Sequence, residues 1–118
     1  MKLRSKDLRL YAVTDRTWAA DSAALLRQIE DAIDGGATMV QLREKHLDEA
    51  SFLAEAEAFV SLCRRKGAIS IINDNVEIAV KTGADGVHVG QSDLEAGRVR
   101  ALLGPDKLIG VSAHNVEE

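Results

Sequence analysis

The sequence predicts an α/β fold built on a parallel β-sheet, and three observations carry that expectation. Strand-like and helix-like apolar patterns alternate along the chain with a period of roughly 25 residues. Glycine closes each helical stretch just ahead of the next strand, at Gly35-Gly36, Gly67, Gly83 and Gly104-Pro105. Polar residues collect after the strands, while the opposite ends carry plain turn residues such as Gly36-Ala37 and Gly83-Ala84-Asp85-Gly86. Regular alternation of this kind makes parallel strands joined by right-handed crossovers. Such a sheet is either open and doubly wound or part of an eight-unit barrel, and the period alone does not choose between them.

The elements follow in order. Leu8 to Val13 reads as the first strand. Asp21 then opens a helix whose apolar residues Leu25, Ile29 and Ile33 recur every four positions, stopped by Gly35-Gly36 with a left-handed cap. Thr38 to Leu42 is the second strand. Asp48 caps a longer helix carrying Phe52, Leu53, Ala56, Phe59, Val60 and Cys63 up to Gly67. Ala68 to Ile72 forms the third strand, Val76 to Thr82 a short helix closed by Gly83, and Gly86 to Val89 the fourth strand. Asp93 caps a helix with Leu94, Val99, Leu102 and Leu103, Leu108 to Val111 is the fifth strand, and Asn115 begins what reads as a further helix. No linker or low-complexity segment interrupts residues 1–118, which read as one unit without an internal boundary.

Composition narrows the function classes. The 118 residues carry 15 Lys+Arg against 19 Asp+Glu, a net charge of -4, which excludes the basic footprint of a nucleic-acid or membrane-surface protein. Met1 to Leu10 is charged and lacks the apolar centre of a signal peptide, and no apolar run approaches the roughly 18 residues of a spanning helix. A cytoplasmic protein is the expectation. A single cysteine, Cys63, leaves neither a disulfide framework nor a cysteine-rich metal site, and its helical spacing makes it a small core residue.

In parallel α/β folds ligands bind at the carboxyl ends of the strands. There the chain places Thr14-Asp15-Arg16, Gln41 to Lys45, Asn73-Asp74, Gly90-Gln91-Ser92-Asp93 and Ser112-Ala113-His114. Gln41 and Arg43 share a strand face and Lys45 continues just beyond, so two cations and an amide converge. A planar guanidinium fork with a point-charge ammonium suits an array of diphosphate oxygens; a solvated charged loop is the plainer role. Asp74 and Asp93 end different strands and offer hard oxygen ligands of the kind Mg²⁺ takes together with substrate phosphates, although each also has a turn or helix-cap role. His46, His88 and His114 are too scattered for a zinc site. His46 reads as a loop residue, His88 as facing a barrel or crevice, and His114 as the one candidate acid or base. Gly90 to Asp93 lacks the spacing of a phosphate loop, and Trp18 reads as a packing residue.

Taken in order, Tyr11-Ala12-Val13-Thr14-Asp15, Val40 to Lys45, Ile72-Asn73-Asp74, Gly83 to Gln91 with Asp93, and Ile109 to His114 resemble the thiamine phosphate synthase family over nearly the whole chain, from about Leu10 to Glu118. The resemblance implies a TIM (β/α)8-type barrel. It also implies a transferase that joins hydroxymethylpyrimidine diphosphate to thiazole phosphate and releases pyrophosphate. By position it implies pyrimidine-diphosphate contacts at Gln41, Leu42, Arg43, Glu44, Lys45, Asn73 and Ser112, with Arg43, Lys45 and Ser112 serving the chemistry. Asp74 and Asp93 are the implied Mg²⁺ ligands. Asn75 stands where members often carry Arg. The related thiazole tautomerase uses a His at the position of His114, but the Gln41 to Lys45 block and Asp93 favour the synthase; a non-catalytic interaction module is the reading from another class.

A complete eight-unit barrel takes at least about 200 residues, so roughly five units are expected here. The expectation is an incomplete barrel, not turning over alone, whose first and fifth strands present edges covered by self-association or a complementary chain.

Overall fold

A computed structural model of the chain describes residues 11–14, 21–44, 48–73, 75–89, 100–101, 104 and 107–111. Within them the order is β1 (Tyr11–Val13), α1 (Ser22–Asp34), β2 (Met39–Leu42), α2 (Glu49–Lys66), β3 (Ile69–Asn73), α3 (Val76–Thr82), β4 (Gly86–Val89) and β5 (Leu108–Val111). The helix expected from Asp93 is described only at Arg100 and Ala101, which are helical; the segments around Leu8 and Asn115 lie outside the described residues.

All five strands are parallel and pair in sequence order, β1-β2-β3-β4-β5. This order decides what the period left open. A doubly wound sheet reverses direction partway and places helices on both faces. A sheet that only ever advances sends every right-handed crossover to one face, as the wall of a barrel does.

The helix-covered face holds the larger core. Val40 and Leu42 of β2, Ile72 of β3, and Val87 and Val89 of β4 meet Leu25 and Ile29 of α1, Phe52, Ala56, Phe59, Val60 and Cys63 of α2, and Ile78 and Ala79 of α3. Phe59 is fully buried, and on α2 the positions 52, 56, 59, 60 and 63 form one stripe of a 3.6-residue period. Each such large side chain contributes about 1.5–3 kcal/mol by leaving water. The other face carries the smaller cluster of Met39, Ile69 and Ile71 with Leu108 against it, the layer that fills the inside of a barrel wall.

Helix ends are built from a repeated device. In α2 the Ala68 N–H donates to Cys63 O and the Gly67 N–H to Arg64 O, with Gly67 left-handed (φ 78°), a conformation that a residue with a Cβ adopts at a cost. Gly36-Ala37 and Gly83-Ala84 make the same pair of hydrogen bonds to α1 and α3, and Ala37, Ala68 and Ala84 are all buried. Of the Gly35-Gly36 pair that ends α1, Gly35 stays right-handed at φ -82°, its N–H still making the helical hydrogen bond to Asp31 O, and the positive φ falls on Gly36. Asp21, Asp48 and Asn75 accept from the amides of Ala24, Ser51 and Ile78 and so cap α1, α2 and α3.

At the amino ends of the strands Asp85 is more than a turn residue. Its carboxylate accepts from the Ser70 N–H at 3.0 Å, its own N–H donates to Ser70 Oγ at 3.2 Å, and its carbonyl accepts from the Leu108 N–H at 2.9 Å, joining β3, β4 and β5. Glu55, buried in α2, accepts from the Ser22 hydroxyl at the first residue of α1, where the positive end of the helix dipole favours a carboxylate.

Two expectations test this packing. A Cβ on Gly86 would press into the main chain and Cβ of Leu108, the latter at 2.7 Å, so Gly86→Ala should lower stability by about 1–3 kcal/mol in urea unfolding. Burial, reinforced by the charge of Asp85, pushes the Cys63 thiol up to about 12 from 9.0. Between those values the unfolded chain releases a proton that the folded chain keeps, so Cys63 should make stability fall as pH rises through that window, and Cys63→Ala should flatten the slope.

Candidate functional site at the carboxyl ends of the strands

Strand alternation and register place Gln41, Asn73, His88 and Gly110 on the helix-free face toward the carboxyl ends, since Asn73 pairs with His88 and His88 with Gly110, and put Tyr11 on the same face at the start of β1, opposite Met39. Three of these form a polar row across β1, β2 and β3. The Gln41 side-chain amide donates to Tyr11 Oη at 2.8 Å, and its carbonyl oxygen accepts from Asn73 Nδ2 at 2.9 Å. With both ends bonded, the amide of buried Gln41 has one orientation.

The row opens onto solvent at β1. Tyr11 and Val13 are 40% and 51% exposed, whereas Met39, Ile69 and Ile71 on the same face further into the sheet are buried. Partial burial raises the Tyr11 phenol above 10.0, and the hydrogen bond from Gln41 opposes that rise by favouring the phenolate.

Just past β2, Arg43 is exposed and Glu44 half-buried. The Arg43 N–H donates to Thr14 Oγ1 at 2.9 Å, linking the loop after β2 to the end of β1. Leu42 sits between Gln41 and Arg43 but points the other way, fully buried in the helix-covered core. It can meet a ligand on the open face only through its main chain. His88 faces the same side as Gln41, and its ring lies over Gly110: a Cβ there would come within 2.6 Å of His88 Nδ1. The glycine is the space into which the imidazole fits.

Of the residues expected from sequence, the fold thus brings together Gln41, Asn73 and Arg43, with Glu44 beside them, and turns the Leu42 side chain away. Lys45, Asp74, Asp93, Ser112 and His114 lie outside the described residues, as do His46, Gly90 to Ser92 and Trp18. Among the described residues no group of three or more His, Cys, Asp or Glu could hold a metal ion, and no helix is long and apolar enough to cross a membrane. Sequence reasoning missed Tyr11 as a member of the row and, although it placed Thr14 at a strand end, the link of Thr14 to Arg43. Tyr11 follows from the period-2 rule, which puts it on the face of Gln41 once register is known; the link between Thr14 and Arg43 has no local signal, being a contact across 29 positions.

A one-directional β/α wall with a polar row at the carboxyl ends of its strands is the construction of the (β/α)-barrel enzymes. The comparisons make this particular. A family model described as thiamine monophosphate synthase matches residues 10–118, and the chain belongs to that family. It is 47% identical over 112 residues to the thiamine-phosphate synthase of Azorhizobium caulinodans, covering 95% of this chain and 52% of that protein. It is 48% identical over 116 residues to the chloroplastic thiamine biosynthetic bifunctional enzyme TH1 of Arabidopsis thaliana, covering 95% of this chain and 22% of that protein. Among solved structures it is similar to thiamine phosphate pyrophosphorylase from Pyrococcus furiosus, with a TM-score of 0.85 and 28% identity over 96% of this chain and 54% of that one. The chain spans about half the length of the thiamine-phosphate synthases it matches.

Tyr11 is the chain's one tyrosine, so its ionisation can be followed by ultraviolet absorbance without interference from another phenol. The midpoint should lie above 10.0, and Gln41→Leu, by removing the hydrogen bond that favours the phenolate, should move it higher still.

Proposed function

We propose that this chain carries the diphosphate-binding residues of a thiamine phosphate synthase site, which couples hydroxymethylpyrimidine diphosphate to thiazole phosphate with release of pyrophosphate. The observation that supports this reading is the fixed amide of Gln41, held between Tyr11 and Asn73 two positions from the exposed Arg43 cation. Gln41 and Asn73 offer hydrogen-bonding groups for the pyrimidine edge, and Arg43 with Lys45 and Ser112 would bind the diphosphate oxygens.

The bond that breaks joins the pyrimidine methylene carbon to the diphosphate oxygen, which keeps the electron pair and leaves as pyrophosphate. The methylene cation, stabilised by the pyrimidine, is captured by the thiazole nitrogen. No nucleophilic side chain is needed: the residues bind, orient and neutralise. Arg43 and Lys45 meet charge that grows on the departing oxygens, and the row around buried Gln41 holds the ring in line.

Asp74 and Asp93 are a hard-oxygen pair suited to Mg²⁺, and the neighbours of Asp74 in sequence, Asn73 and Asn75, both sit at the rim, one ending β3 and the other capping α3. When bound there, Mg²⁺ supplies further neutralisation of the diphosphate. The face left open beside Tyr11 and Val13 would be covered by further barrel units, a complementary chain or a second copy. A cytoplasmic setting belongs to the same reading, supported by the single buried free thiol of Cys63.

Titration calorimetry with Mg²⁺ and pyrophosphate tests the site. The chain should bind pyrophosphate in an Mg²⁺-dependent way, Arg43→Ala should weaken binding by about tenfold or more, and Asp74→Ala with Asp93→Ala should abolish the Mg²⁺ dependence. Unchanged Mg²⁺-dependent binding in that double variant would remove those two residues from the site.

A further inference from the structure

Thr14, the residue just past β1, takes over from the strand ladder with its side chain. The β1–β2 ladder runs through Val13 opposite Gln41, and one more rung joins the Thr14 N–H to Gln41 O at 3.0 Å. In a continuing parallel ladder the next rung would run from the Arg43 N–H to the carbonyl oxygen of Thr14. It runs instead to the side chain, with the Arg43 N–H donating to Thr14 Oγ1 at 2.9 Å. The same hydroxyl donates to the Arg43 carbonyl oxygen at 3.4 Å. One hydroxyl therefore holds both polar groups of the Arg43 main chain, and the residue so held carries an exposed guanidinium at the rim.

We infer that Thr14 is a positioning residue for Arg43: by clamping its main chain, the hydroxyl fixes the point from which the guanidinium reaches a diphosphate. The inference rests on the proposed role of Arg43 as a diphosphate contact. An arginine on an unclamped loop orders its backbone when it binds, which weakens association; the clamp orders it beforehand. The working part is the oxygen and not the methyl group, so serine preserves the function and the nearly isosteric valine does not.

The test is titration of the chain with inorganic pyrophosphate in the presence of Mg²⁺, on the unaltered chain and on Thr14→Val, Thr14→Ser, Arg43→Ala and the double variant T14V/R43A, with thermal melting of each. Thr14→Val should weaken binding by about five- to tenfold and Thr14→Ser by less than about twofold. In the Arg43→Ala background Thr14→Val should weaken it no further, because the hydroxyl acts through the guanidinium. If Thr14→Val fails to fold, Thr14→Ala is measured in its place. Equal binding by Thr14→Val and the unaltered chain, or the same loss with and without the guanidinium, overturns the inference while leaving Arg43 in the site. Equal binding by Arg43→Ala and the unaltered chain overturns the role of Arg43 itself, and that of Thr14 with it.

Discussion

Because each strand pairs with the one before it in the chain, every right-handed crossover delivers its helix to the same side of the sheet, and the opposite side is left to side chains alone. The separation of duties in this molecule follows from that constraint. On one side, Phe59, Leu25, Ile72 and Val87 exclude water within the larger apolar core. On the other, the same strands alternate apolar residues near their amino ends, Met39, Ile69 and Ile71, with polar ones near their carboxyl ends, Gln41, Asn73 and His88. A single strand such as β2 thus contributes Val40 and Leu42 to the core and Gln41 to the site, the two roles falling on adjacent residues.

That alternation also explains how much could be read before any coordinates. The bounds of α3, β4 and β5 follow from Val76, Gly83, Gly86 and Leu108, because caps and apolar periods are local signals. Parallel pairing was readable from the alternation of element types. The choice between barrel wall and doubly wound sheet was not, since it depends on which way the chain turns after each helix, and the residues that bear on it are spread along the sequence. The same limit applied to the site. Gln41, Arg43 and Asn73 stand out as polar residues at strand ends, and the family resemblance carried them together. The amide orientation of Gln41 and the hold of Thr14 on Arg43 depend on register between strands, which one sequence does not display, whereas the turn of Leu42 to the far face follows from strand alternation alone.

The two rims of the sheet use one tactic for different ends. At the amino rim Ser70 and Asp85 exchange hydrogen bonds between side chain and main chain just before the β3–β4 ladder begins. At the carboxyl rim the Thr14 hydroxyl replaces a carbonyl just after the β1–β2 ladder ends. In both places a short polar side chain satisfies main-chain groups that the ladder has stopped serving. At the amino rim the result ties three strands together; at the carboxyl rim it holds the loop that carries the cation.

The repeated Gly-Ala endings of α1, α2 and α3 bear on how the molecule comes into being. Each ending turns the chain straight back to the sheet, so a new strand arrives beside the one made just before it and seals its helix within a few tens of residues. Contacts formed at such short separations close small loops and assemble quickly. A chain emerging from the ribosome can therefore lay down one unit on the last without waiting for distant sequence, and at each stage the newest strand is the template for the next.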